Sequence, residues 1–302
     1  MGNKIDWLKE RKTYLGGTDI AAILGLNRYR SAVDVYFEKT SDEVEDVSNR
    51  FTHWGTLLEE VIANEYARVK EVNIEETSGP IYHPEYSFLA ANIDRWVANK
   101  EYVLECKTAN IYKEKEWGEE GTDQIPDAYL CQVAYYSAIT GVPKVDIAVL
   151  IGGSDFRIYS YTKNEEFENK IIKLACNFWN NNVLAKSPPE AISLTDMSVL
   201  YNRSNGKEIK ADTVVLNKVN SLKELKIKEK ALTEEIQRLN LDIQGYMKDN
   251  EFLVDSENNI LASWKNTQPR HILNVEALKR EHEDIYMRYV KESKSPRPFI
   301  IK

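Results

Sequence analysis

The stretch FLAANIDRWVANKEYVLECKT (residues 88–108) decides how the chain is read. Phe88–Val97 and Tyr102–Thr108 are β-rich runs, and Ala98-Asn99-Lys100-Glu101 between them has the composition of a turn, which predicts a β-hairpin. Side chains alternate along a strand, so Glu105 and Lys107 share one face while Cys106 points to the other. If the strands pair about the 98–101 turn, Asp94 falls near Glu105, and two carboxylates and one ammonium converge on one spot of a sheet. A hard divalent cation, Mg²⁺ or Mn²⁺, takes such oxygens, with Asp94, Glu105 and the backbone carbonyl of Cys106 as suitable ligands. Lys107 would then hold and help deprotonate a water for in-line attack on a phosphodiester. On this segment alone a plainer alternative stays open, a solvated sheet face carrying a weak cross-strand ion pair.

Working outward, residues 1–185 read as mixed α/β. Thr18 or Asp19 is expected to cap a helix with Ile20, Ile23 and Leu24 as its apolar face, ended by Gly25. A second helix is expected from about Thr56 to Val69, with Leu58, Ile62, Tyr66 and Val69 at helical spacing. Downstream of the hairpin come a helix over Asp127–Thr140 stopped at Gly141-Val142-Pro143, a strand Val145–Ile151, a turn at Gly152–Asp155, a strand Phe156–Tyr161 and a closing helix Glu165–Leu184. Helices, hairpin, helix, hairpin and helix in that order predict an α/β fold, a central mixed β-sheet flanked by helices.

Three further groups bear on the chemistry. Leu58 and Ile62 define the buried face of their helix, and Glu59 and Glu60 flank it on different sides, so either may be read as a third carboxylate at the metal site or as a solvated first-turn acid. Gln132, set among Leu130, Val133 and Ala134, asks for a polar partner and shares a helix face with Tyr129 and Tyr136. Arg11 and Thr18 straddle a Gly16-Gly17 turn at a helix N-terminus, an arrangement that suits a phosphate, and equally a plain cap with a surface arginine.

The second part of the chain differs in kind. Ser187-Pro188-Pro189 and the polar run Asn202–Gly206 divide the sequence into 1–190, a linker 191–206 and an extension 207–302. Within the extension Leu222, Leu225, Leu232, Ile236, Leu239, Ile243 and Tyr246 keep a 3-4 rhythm broken by Glu229, the seam of a long amphipathic helix that needs a partner helix or the body of the protein. A short hairpin (Glu251–Val254 and Ile260–Trp264) and a helix around Val275–Arg280 follow.

Composition narrows the function classes. With 40 Lys+Arg against 48 Asp+Glu the net charge is −8, which argues against a general nucleic-acid coat. The acidity is local, because residues 207–302 carry 18 Lys+Arg and 16 Asp+Glu, a net of +2, and leave −10 to residues 1–206. Cys106, Cys131 and Cys176 form neither a disulfide framework nor a zinc or iron–sulfur set. No G-x-x-x-x-G-K-[ST] loop is present, which argues against an ATP-driven motor. Neither a membrane span nor the apolar stretch of a signal peptide is evident, so a cytoplasmic protein with no membrane partner is expected.

Trp7 and Arg11 (W-x-x-x-R), LGGTDIAAILGLNRYRS (15–31), WGTLLE (54–59), ANID (91–94), LECK (104–107) and YLCQVAYY (129–136) stand in the order and approximate spacing of the YqaJ-type viral recombinase family. The chain resembles that family over most of residues 5–160, and the family is similar to phage lambda exonuclease within the PD-(D/E)xK nucleases. LASWK, LKREHEDIY and the final RPFIIK also resemble extensions of some members. The resemblance implies a restriction-endonuclease-like core, with Asp94 and Glu105 as ligands of one or two Mg²⁺ (or Mn²⁺) ions and Lys107 as the catalytic lysine. It picks Glu59, the last residue of W-G-x-x-x-E, over Glu60, and makes Gln132 a support of the site. Arg11 and Thr18 match residues that hold the 5′-phosphate of a strand end, with Thr in place of Ser. Ile93 stands before Asp94 where proline is often found, and no ligand is lost by it.

The implied activity is a 5′-to-3′ exonuclease on double-stranded DNA ends, making single-stranded tails for phage-type recombination in a bacterial or phage-infected cell. The implied partners are a single-strand annealing protein of the RecT or Red-beta type and other copies of the chain in a homo-oligomeric ring. Endonucleolytic or RNA-directed cleavage on the same metal core is the alternative, and a non-catalytic recombination adaptor is a further one.

Overall fold

In the computed structural model, residues 4–42, 50–291 and 296–302 are described, and they divide into two compact units, 1–201 and 202–302. The first unit is built on a five-stranded sheet in the order β1-β4-β5-β6-β7: β1 (Ile74–Glu76), β4 (Arg95–Val97), β5 (Tyr102–Ala109), β6 (Lys144–Ile151) and β7 (Asp155–Thr162). Only β5 and β6 pair in parallel; every other neighbour is antiparallel, so the sheet is mixed as expected. The parallel crossover from β5 to β6 is carried by α5 (Asp127–Thr140), which Gly141 ends in the left-handed conformation at φ 75°. β6 is buried along most of its length, as a strand covered on both faces must be.

Each face of the sheet has its own cover. Alternation sends Val103, Glu105 and Lys107 of β5 to the α5 side, and Val103 joins a large core with Val133, Ala134, Tyr135, Ile147 and Val149. Leu104 and Cys106 point the other way, into a second cluster with Ile62, Ala63 and Tyr66 of α4 (Arg50–Lys70). The expected hairpin is present, but the run 88–97 is not one strand. Ala90–Ala91 (β3) pairs with Ile81–Tyr82 (β2) in a separate ribbon, and Asn92-Ile93-Asp94 lead from it into β4. The turn is tight, with Ala98, Asn99 and Lys100 all at positive φ.

The N-terminal segment supplies α1 (Lys4–Arg11), α2 (Gly17–Ile23) and α3 (Ala32–Thr40). The cap of α2 is Gly16 rather than Thr18 or Asp19; Asp19 is the third helical residue, and its carboxylate accepts the Gly16 N–H at 2.9 Å. Asp19 is fully buried between Lys39, whose Nζ lies 2.9 Å away, and the Arg30 guanidinium. The closing helix is α6 (Glu165–Phe178), continued as a π-helical turn over Trp179–Leu184 that stacks Trp179 on Phe88.

The stretch 191–206 is not wholly a linker. Residues Leu194–Leu200 form α7, capped by Ser193, and Asp196 accepts the Ser31 hydroxyl at 2.6 Å, which ties this turn to the start of α3. Hydrogen bonding to a distant serine is not visible in a polar, proline-flanked run.

The second unit holds α8 (Thr213–Met247), a β8–β9 hairpin (Phe252–Val254 and Ile260–Ser263), α9 (Val275–Glu281) and α10 (Glu283–Tyr289). Met247 is the one buried apolar side chain described between 202 and 302. No helix among the described residues is long and apolar enough to cross a membrane.

Asp19 yields a stability prediction with a sign. Burial raises its pKa, but Lys39, Arg30 and Arg11 together with the Gly16 N–H outweigh it and hold the carboxyl well below the usual carboxylate range. Asp19→Ala leaves two cations facing an empty site and is expected to cost about 3–5 kcal/mol at neutral pH. A depressed pKa stabilises the folded state above the unfolded value of about 4, and that contribution fades as pH falls toward the folded value. Urea melts from pH 7 downward are therefore expected to show a constant gap between wild type and variant that narrows below about pH 4.

Candidate active site

The β4–β5 ladder pairs Val97 with Tyr102, Trp96 with Val103 and Arg95 with Leu104. One residue further along the same register, Asp94 comes opposite Glu105. The strands part there, and Asp94 turns its carboxylate to the main chain of β5, where Oδ2 accepts the Cys106 N–H at 2.7 Å. Lys107, two residues on and therefore on the same face as Glu105, donates to Glu105 Oε1. The same oxygen accepts Gln132 Nε2 at 2.7 Å, and Gln132 Nε2 also lies 2.8 Å from the Tyr136 hydroxyl. The Tyr129 ring lies 5.1 Å from the Lys107 ammonium. Positions 129, 132 and 136 of α5 thus form one helical face laid against Glu105 and Lys107, and the polar partners of Gln132 are Glu105 and Tyr136.

The charge balance of this cluster is unfavourable as it stands. Glu105 is 3% exposed, and its Oε2 is the one buried side-chain oxygen or nitrogen without a hydrogen-bond partner among the described residues. Burial, then the neighbouring Glu105 charge, pushes the Asp94 carboxyl up to about 8. Burial also raises Glu105, with Lys107 pulling it back. For Lys107 burial favours the neutral amine, yet Glu105 and Asp94 outweigh it and raise its pKa, so it stays an ammonium. The buried Glu105 and the half-buried Asp94 share one ammonium, the raised Asp94 pKa reflects burial and that shortage of positive charge, and Glu105 Oε2 is left without a partner. A hard divalent cation held by Asp94, Glu105 and the Cys106 carbonyl would satisfy both, so the donor set fits the expected metal.

Glu59, rather than Glu60, is the helical carboxylate that turns toward this region; Glu60 is exposed. Its immediate partner is Arg95, whose guanidinium donates to Glu59 Oε1 at 2.8 Å and to the Asp94 carbonyl at 2.6 Å. Arg95 shares the α4 side of the sheet with Leu104, so Glu59 reaches Asp94 through Arg95, and its negative charge contributes to raising both Asp94 and Glu105. Among the described residues no three acidic, histidine or cysteine side chains form a ready-made ligand cage. Arg95 is the functional neighbour missed in the sequence; its signal is an arginine at an inward-facing strand position directly after Asp94.

Arg11 and Thr18 come together, the guanidinium donating to the Thr18 hydroxyl at 3.0 Å, with Arg11 also over the Trp7 ring at 5.3 Å. The turn that carries Thr18 lies against Gln132 and Tyr136 because α2 packs directly on α5. A Cβ added to Gly17 would lie 2.6 Å from the Tyr136 ring and 2.9 Å from Gln132 Cγ, so only glycine lets the two helices approach this closely. Asp19 and Lys39 fix the other side of the turn, Lys39 donating to the Arg11 carbonyl at 2.8 Å.

With this geometry in place, comparison with known proteins places the chain in a class. The YqaJ-like viral recombinase domain matches residues 6–143. The chain is 31% identical to the uncharacterized protein YqaJ of Bacillus subtilis over 299 residues, which cover 95% of this chain and 91% of that one. The chain therefore belongs to the YqaJ-like viral recombinase family. It is also similar, at 40% identity over 55 residues, to protein D345L of African swine fever virus, a match covering 18% of this chain and 16% of that protein. Among solved structures it is similar to an alkaline exonuclease from Laribacter hongkongensis, with a TM-score of 0.49 at 15% identity over 61% of this chain and 94% of that one. A phage-related exonuclease from Haemophilus somnus gives 0.45 at 12% identity over 60% and 99%.

The close approach at Gly17 can be tested directly. Gly17→Ala is expected to destabilise the fold by about 1–3 kcal/mol through overpacking, despite the better helix propensity of alanine. Thermal melts should show the loss, and the Tyr136 ring and Gln132 amide resonances should shift by NMR while residues of α8 do not.

Proposed function

We propose that the chain is a Mg²⁺- or Mn²⁺-dependent deoxyribonuclease that degrades double-stranded DNA from its 5′ ends and leaves single-stranded tails for homologous recombination. The observation that carries this reading is the Asp94–Glu105–Lys107 cluster with its buried, unpartnered Glu105 oxygen, set one helix contact away from Arg11 and Thr18. Membership of a viral recombinase family supports the recombination role.

One or two bound divalent ions would supply Lewis-acid stabilisation of the charge that develops on the phosphodiester oxygens. Asp94, Glu105 and the Cys106 carbonyl would hold an ion, and Glu59 would contribute if Arg95 released it. Lys107 is fixed by Glu105 and backed by Tyr129, so its ammonium is aimed rather than swinging, and it orients the attacking water and steadies the negative charge of the transition state. Gln132 holds Glu105 in one rotamer, with its own amide braced by Tyr136. Arg11 and the exposed Thr18 hydroxyl bind the terminal 5′-phosphate, which sets the strand end at a fixed distance from the scissile bond and makes the reaction exonucleolytic with 5′-to-3′ polarity. The family reading extends to a single-strand annealing protein as partner, a homo-oligomeric ring as the working form and action in the cytoplasm, where recombining DNA lies.

End-labelled linear duplexes with a 5′-phosphate or a 5′-hydroxyl test the reading. Mononucleotide release from the phosphorylated end is expected in Mg²⁺ and none in EDTA. Lys107→Ala is expected to lower the rate about 10²–10⁴-fold and Gln132→Leu about 10–100-fold, with Arg11→Ala abolishing the preference for the phosphorylated end. Equal cleavage of closed circles or of RNA would replace the exonuclease reading with an endonuclease or RNA-directed one, and equal activity in all variants would remove the site.

Metal binding has a separate readout in stability. Mg²⁺ or Mn²⁺ that binds the folded site is expected to raise the melting temperature of the wild type by several degrees at saturating concentration and to leave Asp94→Ala/Glu105→Ala unshifted. Thermal scans with and without EDTA measure this independently of DNA.

A further inference from the structure

The C-terminal unit carries an apolar seam that nothing in that unit covers. Along α8, Leu222, Leu225, Leu232, Ile236, Leu239, Ile243 and Tyr246 recur at alternating steps of three and four residues. All but the half-buried Leu222 are exposed. A 3-4 repeat over about three and a half heptads, broken once at Glu229, is the signature of a two-stranded coiled coil rather than of a helix lying on a globular core, which shows a wider stripe. The seam from Leu222 to Tyr246 is about 36 Å long, long enough for a stable helix pair.

The charges on the helix say which partner fits. Its first half carries Lys218, Lys223, Lys226, Lys228 and Lys230 against Glu224 and Glu229; its second half carries Glu234, Glu235 and Asp242 against Arg238. An identical helix laid antiparallel sets the basic half of each copy on the acidic half of the other. A parallel pair would instead stack Glu229 on the partner's Glu229 and Lys218 on the partner's Lys218 inside the seam, where like charges are costly.

We infer that α8 is a self-association element, pairing antiparallel with α8 of a second copy of this chain. Antiparallel packing matches each seam position with its complement about a two-fold axis at residue 234. Leu222 then meets the partner's Tyr246, Leu225 the partner's Ile243 and Leu232 the partner's Ile236. Glu229 falls beside the partner's Leu239 instead of beside its own copy. On the flank of the seam Lys228 lies next to the partner's Asp242, twice by symmetry. At the axis Glu235 faces the partner's Glu235, the one like-charge flank pair in this register, and Glu229 sets a carboxylate against an apolar neighbour in the seam.

Sedimentation equilibrium of the full chain over a range of concentrations tests the pairing. Leu232→Asp/Ile236→Asp is expected to abolish the two-fold contact and lower the assembly mass. Lys228→Glu and Asp242→Lys alone are each expected to weaken self-association about tenfold, and the two changes together in one chain to restore it. Glu235→Gln is expected to tighten it. Circular dichroism at equal concentration verifies that the flank variants, which lie on an exposed helix surface, keep the fold. A wild-type mass equal to that of Leu232→Asp/Ile236→Asp overturns the proposal. So does a double charge reversal no tighter than either single change, because packing of α8 on its own chain or on an unrelated protein gives no such rescue.

Discussion

A buried carboxylate, Glu105, and a half-buried one, Asp94, sharing one ammonium are the constraint around which the first unit is arranged. Taking Glu105 out of water, and Asp94 partly so, is costly, and a single lysine cannot offset both. The structure confines the cost to one place, the point where β4 and β5 part. The ladder fixes the register, a backbone N–H holds one carboxylate, and a glutamine and a lysine hold one oxygen of the other. The remaining oxygen is left with no protein partner. Such an arrangement without a compensating group costs stability, and a divalent cation is a group whose chemistry would match these ligands.

Asp19 shows that this is not simply how the protein treats buried acids. It is more deeply buried than Asp94, yet it has Lys39, Arg30 and a backbone N–H around it, and its pKa goes down. Asp94 has neighbours of its own sign, and its pKa goes up to about 8. The first acid is fully paired and organises α1, α2 and α3 around the turn that carries Arg11 and Thr18. The second is left wanting positive charge. The contrast separates a fully paired carboxylate from one short of positive charge, and the Gly17 contact on Tyr136 and Gln132 links their surroundings.

The C-terminal unit follows different physics. With Met247 as its one described buried apolar side chain, it has little core of its own, and most of its helix surface is held by local hydrogen bonds and capping. Long isolated helices gain most of their stability from packing an amphipathic face. The exposed seam of α8 therefore carries a stability as well as a recognition role, and its charge asymmetry orients whatever it packs on.

The strand alternation of Glu105 and Lys107, the face shared by Tyr129, Gln132 and Tyr136, the α5 helix with its Gly141 stop and the α8 seam were all legible from the linear chain, because each follows from a local period of two or 3.6 residues. The convergence of Asp94 on Glu105 was legible only on the condition that the hairpin paired about residues 98–101. Other features had no local signal. The division of 88–97 between two ribbons depends on which strand β3 finds as a neighbour. The cap at Gly16, the tie from Ser31 to α7, the Asp19–Lys39–Arg30 network and the role of Arg95 all join residues distant in sequence. The choice of Glu59 over Glu60 depends on the rotation of α4 against the sheet. The sequence by itself thus determined which residue types lie on which face of each element, since backbone geometry imposes that directly. Only the tertiary structure decided which faces meet, and so which buried charges are paired and which oxygen is left for a metal.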